Sequence, residues 1–391
     1  MRRSFLLACL GLVLGGCSIG GDGNGAGGAA LGPAPTANQP KAAEQLGFPA
    51  LATRDTVRVG GGDPIADLAG TVTAVFPATT SLSRPSAIAL VDKDDWQGAV
   101  AASVLNASPL DAPLMASDGS KLAPATAHAL KLLQPKGADL ARGAQVIRIG
   151  PKPPAPGGYK NGRITGTDPY DTAAAIDRFF TALRGKPSPH VVVASGQQAP
   201  YAMPAASWAA RSGDSVLFTQ RNRVPRATLK AIATHSRPDI YVLGPESVIS
   251  NTVVSRLARL GHVERVQGAT AVETAIALAR YSRRGFGWGI TVPGYNFVLA
   301  SVTRPLDAAA AATLATNGIF APLLLTDRAD DLPPDLSGYL LDVEPGYEKD
   351  PASGVYNRVW ILGDTKTVSL KAQVRLDEIT RLVAVQTTKR P

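Results

Sequence analysis

The chain has 391 residues, 45% of them hydrophobic and 18% charged, and 40 Lys and Arg against 31 Asp and Glu give a formal net charge of +9. The two cysteines, Cys9 and Cys17, both lie near the N-terminus. This spacing excludes a disulfide framework in the remainder, so the fold must stand on a hydrophobic core, which a chain of this length can build.

Arg2 and Arg3 precede an apolar run over 5–14, followed by Leu14-Gly15-Gly16-Cys17. Charge, length and small-residue context read as a secretory leader over 1–16. The run falls short of the roughly 20 apolar residues that span a bilayer, and no later stretch is apolar enough to do so. The Leu-Gly-Gly-Cys segment resembles the bacterial lipobox. That resemblance implies cleavage before Cys17, lipid on its sulfur, and an exported protein held by lipid on the outer face of the cell membrane. Residues 17–52 then read as a disordered tether, because 20 of the 33 residues in 18–50 are Gly, Ala or Pro. Its root-mean-square reach is about 30 Å, at roughly 5–6 Å times the square root of residue number.

From residue 53 onward the chain repeats itself. Arg58-Val59-Gly60-Gly61-Gly62-Asp63-Pro64 matches Arg163-Ile164-Thr165-Gly166-Thr167-Asp168-Pro169, and Arg265-Val266-Gln267-Gly268 matches the opening of both. The expected copies are 53–158, 159–261 and 262–391. After each signature the spacing predicts a helix, clearest over 170–183 and 272–281, then an apolar strand over 87–91, 190–194 and 297–300. An Ala-rich helix follows over 98–105, 204–211 and 307–316, then a second strand over 113–116, 216–219 and 322–326. A third strand ends on a glycine, at Gly150, Gly244 and Gly363. Short apolar strands without polar alternation, interleaved with helices, predict parallel sheets buried on both faces. A helix over 249–260 follows the third strand of the second copy, and the third copy ends on a helix over 370–383. The first copy has no room for the equivalent, and the third carries an insertion near 344–354. The expected fold class is α/β, with three tandem modules of short parallel sheets flanked by helices, packed as one body with unequal end repeats.

These residues resemble the bacterial type 2 cell-wall-binding repeats. The family pattern of Arg, Gly, Asp and Thr-Ala is met by Arg163, Gly166, Asp168, Thr172 and Ala173, and by Arg265, Gly268, Thr274 and Ala275. Its later elements are met by Leu306-Asp307-Ala308-Ala309-Ala310 and Tyr241-Val242-Leu243-Gly244. The first copy contributes Arg58, Gly61 and Asp63, with Asp67-Leu68 where Thr-Ala is expected. Pro169 stands where the family usually carries a basic residue, and Thr270-Ala271 replace both the Asp and that residue in the third copy. The resemblance implies a pseudo-threefold ring of modules and non-covalent attachment to anionic wall polymers.

Loss of Arg2 and Arg3 with the leader leaves +7, concentrated at Arg221, Arg223 and Arg226 and at Arg280, Arg283 and Arg284. These are the candidate polymer-binding residues, since clustered cations capture phosphate or carboxylate polymers by Coulomb attraction that salt weakens. Arg58, Arg163 and Arg265 read as structural, because a guanidinium beside a glycine turn ties backbone carbonyls. His128, His190, His235 and His262 occur singly, without metal-ligand spacing. No hydrolase, zincin or nucleotide-binding motif is present, and the four tryptophans are dispersed. The sequence therefore predicts a non-catalytic envelope lipoprotein without metal or cofactor, its partners an anionic wall polymer and, through Cys17, the membrane, with no nucleic acid. A transporter's solute-binding lipoprotein and a protein-interaction scaffold remain the alternatives.

Overall fold

The computed structural model describes residues 49–316 and 319–385. Cys17, the leader and residues 17–48 of the tether lie outside them. In chain order, β1 (Pro49–Ala52) and β2 (Thr56–Val59) lead into α1 (Pro64–Val75), β3 (Ile88–Asp92), α2 (Trp96–Ala102), β4 (Leu114–Ser117), α3 (Pro124–Leu133) and β5 (Val146–Ile149). The same order returns as β6 (Asn161–Ile164), α4 (Pro169–Arg184), β7 (His190–Ser195), α5 (Ala199–Ser212), β8 (Ser215–Thr219), α6 (Arg226–Ala233) and β9 (Asp239–Leu243), followed by α7 (Asn251–Leu257). The third pass is β10 (His262–Val266), α8 (Ala271–Arg280), β11 (Asn296–Ser301), α9 (Asp307–Leu314), β12 (Leu323–Thr326), α10 (Pro334–Asp342), β14 (Arg358–Leu362) and α11 (Leu370–Thr380). Between α10 and β14, within the expected insertion, β13 (Gly346–Tyr347) pairs with β15 (Val383–Ala384). No helix separates β5 from β6, as the spacing predicts.

Beside the β13-β15 pair, the described residues form three larger sheets, in strand orders β4-β3-β5-β6, β8-β7-β9-β10 and β12-β11-β14-β2-β1. All their pairings are parallel except β1 on β2. Each signature strand completes the sheet of the preceding copy, and the helix after it packs on the next sheet: α1 on β4, α4 on β8, α8 on β12. A signature therefore straps two modules together, and β2 closes the set by joining the third sheet. β1, which the composition assigns to the end of the tether, covers what would otherwise be the free edge of β2.

The Ala-rich helices α2, α5 and α9 meet one another at the centre. All eight residues of α9, from Asp307 to Leu314, are buried, as are Ala99 to Ala102 and Ala202 to Ala210. A helix that is buried all round shows no amphipathic stripe, and alanine lets three such helices approach closely. This explains why the Ala-rich character, rather than a periodicity, marks these segments in the sequence.

Candidate binding site

The signature arginines occupy equivalent positions. Arg163 stands in register with Arg148, Arg265 with Val242 and Arg58 with Ile361, each two residues before a glycine that ends the neighbouring strand. Those glycines, Gly150, Gly244 and Gly363, have φ of 79°, 106° and 97°, a left-handed turn that presents the carbonyl to the guanidinium. Arg163 donates to Gly150 O (3.2 Å) and Pro151 O (2.8 Å), and Arg265 to Gly244 O (2.7 Å) and Ile249 O (2.9 Å). Arg58 is 2% exposed and makes the fullest set, to Gly363 O (2.9 Å), Asp364 O (2.8 Å), Val368 O (2.6 Å) and Gln373 Oε1 (2.9 and 3.1 Å). Burial pushes its guanidinium down to about 10, against the pull of Asp364 and Asp67.

The remaining signature residues build helix starts. Asp63, Asp168 and Thr270 cap α1, α4 and α8 by accepting from Ile65 N, Asp171 N and Glu273 N. Thr172 Oγ1 and Thr274 Oγ1 each accept from the glycine six residues earlier, Gly166 N and Gly268 N, both at 3.1 Å. In the first copy Asp67 Oδ1 does the same for Gly61 N (2.5 Å), so a carboxylate replaces the hydroxyl. That carboxylate also reaches Arg304 of the third copy at 2.5 Å, and Arg304 binds Asp307 at 2.8 Å. Burial drives the Asp67 carboxyl up, while Arg304 and the Gly61 N–H pull it back.

In a parallel sheet the ligand crevice lies beyond the carboxyl ends of the strands, where neighbouring connections diverge. In the second sheet that edge is formed by the loops after β7, β8 and β9, joined by Arg221 N to Gln197 Oε1 (2.9 Å) and Ser250 N to Arg221 O (2.9 Å). Arg221, Arg223 and Arg226 are all exposed there, and none has a carboxylate partner among the described residues. The corresponding crevice of the third sheet encloses about 450 Å³ between Ser301, Thr303, Arg304, Arg328, Asp364 and Lys366. Burial works against the charge of Asp364, yet hydrogen bonds from Thr367 Oγ1 and the N–H groups of Thr367 and Lys366 hold its carboxyl below the usual range.

The first sheet's crevice, about 320 Å³, is acidic, with Asp92, Asp94, Asp95 and Asp168 around Lys152. Lys152 Nζ lies 2.7 Å from Asp92 Oδ2.

The second arginine cluster lies elsewhere and is matched by acids. Arg280 pairs with Asp342 and covers the Tyr339 ring at 4.8 Å. Arg284 lies 3.4 Å from Asp239 and 3.9 Å from Glu264, and Arg283 is 3.9 Å from Glu264. The tryptophans, dispersed in sequence, are not all dispersed in space: Trp208 and Trp288 meet edge to face at 5.8 Å beside Phe286. Trp288, in the Gly-rich loop Gly285-Phe286-Gly287-Trp288-Gly289, is half-buried.

Ser188, His190 and Asp214 also come together, with contacts running serine to carboxylate to imidazole. Asp214 accepts from Ser188 Oγ, and His190 Nδ1 is 3.5 Å from Asp214 while its Nε2 lies on Arg284 O at 3.0 Å. The imidazole is thus not hydrogen-bonded to the serine that a hydrolytic triad would require it to activate.

Comparison with known proteins places these features. The model of cell wall binding domain 2 (CWB2) matches residues 163–254 and 265–373, together just over half of the chain, and each match starts on a signature arginine. N-acetylmuramoyl-L-alanine amidase LytC of Bacillus subtilis (strain 168) is 25% identical over 331 residues, which is 84% of this chain and 59% of the amidase. In fold the chain is similar to Cwp6 from Clostridium difficile (TM-score 0.65, 16% identity, 83% of this chain and 47% of that one). It is equally similar to Cwp8 from Clostridium difficile (TM-score 0.65, 17% identity, 84% and 52%). The chain thus spans between about half and three-fifths of these relatives' lengths. With both matched segments beginning at the strand that straps one module to the next, the chain belongs to the cell wall binding domain 2 (CWB2) family.

Proposed function

We propose that this protein is an exported, lipid-anchored, non-catalytic component of the cell envelope that binds an anionic wall polymer through the carboxyl-end crevices of its second and third sheets. The observation that carries the reading is that the exposed guanidiniums of Arg221, Arg223 and Arg226 have no carboxylate partner among the described residues, on a face where parallel sheets place ligands. A polyanion meeting these side chains displaces only water and counterions, whereas at Arg280, Arg283 and Arg284 it would have to displace carboxylates. The acidic crevice of the first sheet repels such a ligand, and this copy also lies outside the residues matched by the family model. The leader and Cys17 supply the export and lipid attachment in this reading.

The test is sedimentation of the body, residues 53–391, with isolated cell walls across a salt series, before and after the walls are stripped of anionic polymer. Salt-sensitive co-sedimentation that disappears on stripping supports the proposal. Protein that stays in solution with intact walls overturns it.

A further inference from the structure

A cavity of about 810 Å³ lies between the second and third modules at the amino ends of β7 and β11, away from the carboxyl-end crevices. Its wall is raised by the connection from α8 to β11, residues 281–295, where the second copy makes the same connection through residues 185–189. The lining combines rings with charge. Trp208 and Trp288 meet on one side, while Tyr295 and Phe320 are 38% and 44% exposed.

The polar groups are unevenly committed. Asp214 is saturated by Ser188 Oγ, Trp208 Nε1 (2.8 Å) and His190, and its carboxylate holds the His190 imidazole above the usual histidine range, against burial. Arg184 spends one N–H on Gly213 O (3.0 Å). The Arg211 guanidinium lies 4.6 Å from the centre of the Phe320 ring and has no hydrogen-bond or ion-pair partner among the described residues. The free groups of the cavity are therefore donors, the guanidinium of Arg211 and the unpartnered Nε1 of Trp288, beside aromatic faces. Such a lining accepts a ring whose apolar face lies on an aromatic side chain and whose substituent is an anion.

We propose that this cavity binds a saccharide unit carrying an anionic substituent, a site distinct from the carboxyl-end crevices and with Arg211 as its anion contact. Arg211 extends from the end of α5, so its guanidinium can form a paired bond to carboxylate or phosphate while Tyr295 and Phe320 flank the sugar ring.

The experiment follows tryptophan fluorescence of the full chain during titration with glucose, glucuronate and glucose 6-phosphate. The expected result is at least tenfold tighter binding of one or both charged sugars than of glucose, with the stronger of the two identifying the anion. Arg211→Gln brings the charged sugars to the level of glucose, whereas Tyr295→Ala weakens all that bind, both without change in near-ultraviolet circular dichroism. Equal binding of the three sugars, no binding, or an Arg211→Gln variant that binds as the parent overturns the proposal. Replacing Arg221, Arg223 and Arg226, none of which lines the cavity, leaves binding of the charged sugars at the parent level, so this site and the proposed polymer site fail or stand separately.

Discussion

The guanidinium of Arg58 donates to the carbonyl oxygen of Gly363, 305 residues further along the chain, at 2.9 Å. The bond belongs to a set that no local segment can make, because it exists only when the first signature strand lies against β14. Removing a buried charged donor leaves several carbonyls without partners, and such losses cost about 3 kcal/mol or more. Arg58→Ala should therefore lower the urea midpoint markedly. Arg163→Ala, at a more exposed site with two bonds, should cost about 1 kcal/mol. Equal effects in the two variants would show that ring closure is not what Arg58 supports.

Glycine substitutions separate close approach from mere sequence pattern. A Cβ on Gly166 would come within 2.3 Å of Thr172 N, and one on Gly268 within 2.2 Å of Glu273 Cβ. Alanine at either should destabilise by about 1–3 kcal/mol through overpacking. Gly61, the matching residue of the first copy, has open space where its Cβ would lie; there the tight glycine is Gly60, with Asp67 Oδ1 at 2.0 Å. Gly61→Ala should melt within about 0.5 kcal/mol of the parent, and thermal unfolding of the three variants measures the contrast.

The buried pair of His235 and Asp177 gives the fold a pH dependence. His235 Nε2 is 2.9 Å from Asp177 Oδ1 and Nδ1 2.9 Å from Ser188 O. Burial alone would lower the imidazole, but the hydrogen bond and charge of Asp177 raise it overall. A histidine raised in the folded state contributes stability in full below its unfolded value of about 6.5, and this is lost as pH climbs through the folded value. Stability measured by urea unfolding should fall as pH rises above about 6.5, and Asp177→Asn should flatten that decline while lowering stability at acid pH.

Charge removal at the two arginine clusters should give opposite outcomes. Replacing Arg221, Arg223 and Arg226 together by Gln should weaken wall co-sedimentation by roughly tenfold at low salt and flatten its salt dependence, with unfolding unchanged. The same change at Arg280, Arg283 and Arg284 should leave binding near the parent level and cost about 1 kcal/mol of stability, because it breaks ion pairs with Asp342, Asp239 and Glu264.

Much of this architecture is legible in the sequence where local composition determines it. Apolar strands ending on Gly150, Gly244 and Gly363 and the alanine runs of α2, α5 and α9 are recognisable because each is a contiguous segment with one environment. The short helices α3, α6 and α10 escape, although Pro124, Pro225 and Pro334 at their starts are a usable signal. The exchange of signature strands between modules is not legible, since β2 and β14 carry nothing local that names a partner 300 residues away. The cavity aromatics escape for the same reason: Trp208 and Trp288 belong to different copies. Arginine clusters look alike in sequence, and only the neighbouring acids of the fold distinguish a free set from a neutralised one.

Because β2 completes the third sheet, a pull applied through the N-terminus passes through β1 to the strand that closes the ring, before it reaches the first module's own strands. There the load meets the parallel pairing of β2 with β14, the Arg58 bonds, and the side chain of Asp377, which receives Thr53 Oγ1 at 2.5 Å and Asp55 N at 3.0 Å. Those contacts act as a mechanical latch: tension has to break them before the modules can be drawn apart in series.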